Sequence, residues 1–142
     1  MDLEELRRKA ERALQAEARA LSSLLEISRN AGEETAELLS TVIFETALHM
    51  EIMRGIMTAV DLTRRAGESG FRGSAGLSDV RRELGKQDEI EREAYELYLD
   101  LAKTEENSFV RELFNAIARD EEVHHALLKY VESRALSGPP HG

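Results

Sequence analysis

Cysteine is absent from the chain's 142 residues. Its absence excludes disulfides, thiolate zinc sites, cysteine nucleophiles and cysteine-ligated iron–sulfur centres, so any metal must be held by oxygen and nitrogen. Proline is nearly absent: only Pro139 and Pro140 occur, both in the tail, which leaves the rest of the chain free of the strongest helix breaker. No charged-then-apolar leader opens the sequence, and no apolar run approaches the roughly 20 residues that span a bilayer. A soluble, cytoplasmic protein without a membrane partner is the expectation. A basic patch is also missing. Net charge is −9, with Lys and Arg interspersed among the acids, which argues against nucleic-acid binding because phosphate contact needs concentrated positive charge.

Ala, Leu, Glu and Arg dominate the sequence, and all four favour helix. The length fits one domain, expected over residues 1–136, with 137–142 a disordered tail. Four segments show helical periodicity: 2–29, 33–65, 78–103 and 107–136. The first is expected to close at Asn30-Ala31-Gly32, with Gly32 supplying a left-handed turn. Between the second and third, residues 66–77 hold four glycines and little periodicity. Ser78 is placed to cap the third helix, and Asn107 or Ser108 the fourth. The fold class this predicts is all-α, a four-helix bundle.

At coiled-coil spacing each segment yields one apolar row. The first presents Leu3, Leu6, Ala10, Ala13, Glu17, Ala20, Leu24 and Ile27. The second presents Leu39, Val42, Thr46, His49, Met53, Ile56 and Val60. The third presents Leu77, Val80, Leu84, Gln87, Glu91, Ala94, Tyr98 and Leu101, and the fourth Val110, Phe114, Ile117, Glu121, His124, Leu128 and Val131. Every row is interrupted near its middle by polar residues. The halves also resemble each other: Glu17 falls on Glu91, Glu37-Leu38-Leu39 on Glu112-Leu113-Phe114, and His49 on His124, the pattern of an internal duplication.

Height matters as much as face. Glu17, Thr46/His49, Glu91 and Glu121/His124 each stand near the middle of a helix, so four helices side by side are expected to bring them to one level on the bundle axis. A carboxylate taken out of water without a partner costs several kcal/mol. No Lys or Arg stands on the expected rows, the bases falling on outward positions such as Arg19, Arg54, Arg92 and Arg119. A cation is the remaining compensation. Glu121 and His124 are an i, i+3 pair able to reach one metal, and carboxylate with imidazole suits iron, manganese or, less specifically, zinc.

With a Glu helix followed by a Glu-x-x-His helix in its second half, the sequence resembles the ferritin-like carboxylate-bridged di-iron proteins, most closely the rubrerythrin-type branch without a rubredoxin domain. Its best segments are Ile90-Glu91-Arg92-Glu93-Ala94-Tyr95-Glu96-Leu97-Tyr98 and Leu113-Phe114-Asn115-Ala116-Ile117-Ala118-Arg119-Asp120-Glu121-Glu122-Val123-His124. The resemblance implies a ferritin-like fold with a long crossover between the second and third helices, for which 66–77 would have to reach roughly 40 Å. It implies metal ligands at Glu17, His49, Glu91, Glu121 and His124, with Glu121 bridging. It also implies two iron ions, alternatively manganese, and an oxidase or peroxidase acting on O₂ or peroxide with an external electron donor. The chemistry would rest on the metal site alone.

The chain departs from the family pattern at Thr46, where a second bridging glutamate is expected; Glu45 is the candidate substitute, though it points about 100° away around the helix. An asymmetric dinuclear site, a single-metal site and a helical scaffold with a degenerate site all stay open. Thr46 and Tyr98 are placed around the ligands; Thr46 could bond its own backbone carbonyl one turn back, and Tyr98 could serve in packing. Met50, Met53 and Met57 read as apolar filler or a subunit contact. Helices this long offer more apolar surface than one bundle encloses, so a homodimer is expected. His125 and His141 fall off the pattern.

Overall fold

Helix formation begins at Asp2, whose carboxylate accepts the Glu5 amide at 3.0 Å and so satisfies one of the donors a helix leaves free at its start. A computed structural model describes residues 2–68 and 77–136, which form four helices and no strand. They are α1 (Leu3–Asn30), α2 (Glu33–Glu68), α3 (Leu77–Thr104) and α4 (Ser108–Leu136). The tail 137–142, with His141, and the Ser78 side chain lie outside the described residues. Among those described, no helix is long and apolar enough to cross a membrane.

The α1–α2 turn differs from expectation. Ala31 caps α1 in an extended conformation (φ −89°, ψ 162°) and donates to the Ile27 carbonyl at 2.9 Å. Gly32 needs no left-handed backbone; its carbonyl instead accepts the Ala36 amide at 3.1 Å, opening α2. At the α3–α4 turn, Asn107 Oδ1 accepts the Val110 amide at 3.0 Å, capping α4 as its amide side chain allows.

α2 also runs three residues beyond its expected end. The segment 69–76, on which the expected crossover depends, lies outside the described residues.

The four helices form two compact units, α1 with α2 and α3 with α4. Both are antiparallel hairpins. In the first, Arg64 pairs with Glu4 (2.9 Å), Arg7 with Asp61 (3.3 Å) and His49 with Glu17 (3.3 Å), so partner numbers fall as residue numbers rise. In the second, Arg81 pairs with Glu132 (3.6 Å), Asp88 with Lys129 (3.0 Å) and Glu91 with His124 (3.2 Å), and the rings of Tyr98 and Phe114 meet at 6.2 Å between centroids.

Which residues each hairpin covers widens the expected rows. In α1 the covered positions include the expected Leu6 and Ala13 as well as Leu3, Arg7, Ala10, Leu14, Glu17, Leu21, Leu24 and Ser28. In α2 they include Ala36, Leu39, Ile43, Thr46, His49, Met50, Met53, Ile56, Met57 and Val60, with the three methionines half-buried. α3 covers Leu84, Asp88, Glu91, Tyr95, Tyr98 and Ala102, and α4 covers Phe114, Ala118, Glu121, Leu128 and Glu132.

The expected rows stay largely covered, with Leu6, Ala13, His49, Ile56, Ala94, Leu101, Val110 and Ile117 half-buried beside Glu17, Thr46, Glu91 and Glu121. A few expected members are exposed instead: Ile27 is 50% exposed, Val42 46% and Val131 41%. The deepest apolar residues are all small, Ala10, Val60, Ala102 and Ala118, which lets paired helices approach closely.

Candidate metal centre

Glu91 and Glu121 occupy covered positions on facing helices, and both side chains are 14% exposed. His124 follows Glu121 by three residues, which turns it about 60° to one side. Its Nδ1 stands 3.2 Å from Glu91 Oε2 and 3.2 Å from Glu121 Oε2. One ligand atom from each of the three lies within 4.8 Å of the others, and this is the one such trio among the described residues. Gln87 donates to Glu91 Oε1 from one turn back at 2.6 Å, fixing that carboxylate's orientation.

The electrostatics are those of a crowded anionic pair. Glu121 is held above the usual carboxylate range, chiefly by its hydrogen bond with Glu91 and further because burial disfavours its charge. Glu91 is correspondingly lowered by its hydrogen bonds from Glu121 and Gln87 and by His124. His124 is raised, first by its hydrogen bond to Glu121 and also by Glu91. The donor set, two carboxylates and one imidazole, fits a hard or borderline ion such as Mn(II) or Fe(II).

The α1–α2 hairpin holds the corresponding pair without the third member. His49 Nδ1 lies 3.3 Å from Glu17 Oε1, matching the His124–Glu91 contact. At the position equivalent to Glu121 stands Thr46, 7% exposed, whose hydroxyl donates to the Val42 carbonyl at 2.7 Å. Glu45 is half-buried and does not join Glu17 and His49 in a trio. The five expected ligands are thus found as a pair on one hairpin and a trio on the other. Tyr98 stacks on Phe114 with the ring planes tilted by 34°.

Sequence reasoning missed the neighbourhood of Asp88. His125 Nδ1 is 2.5 Å from Asp88 Oδ1, and Lys129 Nζ is 3.0 Å from Oδ2; the Lys129 hydrogen bond, aided by His125, lowers the Asp88 carboxyl. Arg92, exposed as expected, borders an open cavity of about 200 Å³ with Glu91, Tyr95, Glu121, Glu122 and His125. The signal was present in the spacing, since Asp88, Tyr95 and His125 all belong to the row one position along from the expected one.

Comparison with protein-family models, characterised proteins and solved structures gives no match.

Proposed function

We propose that this chain is a metal-binding protein whose centre is Glu91, Glu121 and His124, taking iron or manganese for the oxidative chemistry of ferritin-like carboxylate proteins. The observation that carries the reading is the trio itself, three donors from two helices within 4.8 Å. Bound there, the metal would supply Lewis acidity and electron transfer to O₂ or peroxide. Glu91 and Glu121 would hold it from facing helices, with Gln87 keeping Glu91 aligned and His124 giving up its proton to ligate.

Glu17 and His49 are the repeat-related pair, and a two-metal stoichiometry would enlist them. An external electron donor completes the oxidase or peroxidase reading. A homodimer belongs to it as well, supported by exposed apolar residues such as Leu38 (73%) and Val123 (62%).

A helical scaffold with a degenerate site is the second reading. Its support is Thr46, whose hydroxyl is committed to its own helix rather than to the Glu17–His49 pair. Metal analysis of protein purified without added metal, followed by Fe(II) titration under O₂, separates the two. One or two metals per chain with catalysed Fe(II) oxidation supports the first; an empty, inert protein supports the second.

A further inference from the structure

The α3–α4 hairpin is two-sided at its centre. An antiparallel pair has a twofold axis normal to its plane, so residues turned the same way on both helices share a face. Relative to Glu121, His124 lies about 60° to one side and Glu122 about 100° to the other; relative to Glu91, Arg92 lies about 100° to the same side as Glu122. The common cavity confirms this sharing, since Arg92 and Glu122 both line it. The two central carboxylates are therefore approached by the histidine from one face and by the cavity from the other.

Arg92 makes no ion pair among the described residues, and it borders two cavities. The second, about 450 Å³, is lined by Gly85, Asp88, Glu89, Arg92, His125 and Lys129. Arg92 and His125 are common to both, and since His125 and Lys129 are paired with Asp88, Arg92 is the donor on this side of the carboxylates on which an anion site depends. The charge balance forbids an anion while the centre lacks metal: Glu91, Glu121 and Glu122 outnumber Arg92 by three to one. One divalent ion cancels that excess and a trivalent ion reverses it.

We infer that this cavity is a metal-dependent site for a small oxyanion, held by the Arg92 guanidinium on one side and by the metal between Glu91 and Glu121 on the other. The inference rests on the metal-centre reading above. Arg92 supplies the paired N–H donors that match a carboxylate or phosphate edge. A volume near 200 Å³ has room for an anion the size of phosphate or a short carboxylate. Anion and metal then raise each other's affinity by the same factor, because binding linkage is reciprocal.

The test is calorimetric titration of the full chain with Mn(II), alone and in inorganic phosphate or acetate. Either anion should raise the Mn(II) affinity roughly fivefold or more in the wild type; which one does so identifies phosphate or carboxylate as the class. R92Q should bind Mn(II) as before without anion and lose the enhancement, whereas R119Q, remote from the cavity, should keep it. Normal Mn(II) binding with no anion effect, or an enhancement undiminished in R92Q, overturns the oxyanion site and leaves the metal centre standing. No Mn(II) uptake by the wild type overturns both.

Discussion

The imidazole of His124 meets Glu91 across the α3–α4 hairpin at 3.2 Å, and His49 meets Glu17 across α1–α2 at 3.3 Å. Two hairpins of one chain thus make the same contact at equivalent places, and they part only at the third position. Glu121 completes one set where Thr46 closes the other.

Thr46→Glu should supply the missing member. In the α1–α2 hairpin the new carboxylate would stand one turn from His49 and beside Glu17, so metal content measured by elemental analysis should rise by about one ion per chain. Without metal the same change should destabilise by about 1–3 kcal/mol, since it places a charge where Thr46 is 7% exposed. A variant with unchanged metal content would show that Thr46 is not what limits this hairpin.

Glu121→Gln should weaken metal retention strongly. Because Glu121 is the carboxylate pushed upward by its neighbour Glu91, the apo protein at about pH 8 should gain on the order of 0.5 kcal/mol from losing a like charge. Urea unfolding with chelator present reads the second effect, and dialysis followed by metal analysis reads the first.

The apo protein should be most stable in weakly acid solution. His124 is raised, so its stabilisation is complete below the ordinary histidine value near 6.5 and is lost as pH climbs through the elevated value. Asp88 and Glu91 are lowered, so theirs is present above the ordinary carboxylate range and disappears as pH falls through the depressed values. Unfolding midpoints from about pH 3 to pH 9 should trace a maximum between these limits, and His124→Gln should flatten the alkaline side. Metal uptake near neutrality should also release protons, seen as a buffer-dependent heat.

Gly55→Ala should stabilise the chain by roughly 0.8–1 kcal/mol. Gly55 lies in the interior of α2, and an added methyl meets nothing within 4 Å. Ala118→Leu should act in the opposite direction by about 1–3 kcal/mol, because Ala118 is 1% exposed and the larger side chain has no room. Chemical denaturation of the two variants measures both.

The residues that punctuate helices were legible in the sequence: Asp2 and Asn107 cap as their side chains dictate, and the ends of α1, α3 and α4 fall within a residue of the periodic segments. Pairing of Glu17 with His49, and of Glu91 with Glu121 and His124, was legible too, since i, i+3 spacing and the internal repeat place them. What the pattern could not distinguish was which side of a broad apolar arc meets the nearest helix. Val42 and Ile43 are both aliphatic, yet Val42 is 46% exposed and Ile43 half-buried, and a single position decides between them. The turn at Gly32 was misjudged because glycine serves at a helix start as well as at a helix end.

The deepest apolar residues are Ala10 and Val60 in one hairpin and Ala102 and Ala118 in the other, and no large side chain is fully buried among the described residues. A cation gripped by Glu91, Glu121 and His124 at mid-length would therefore act as a rivet, fixing the centre of α3 against α4. Chelation would loosen the hairpin from the middle outward, with the amides around Glu91 and Glu121 losing the most protection against exchange.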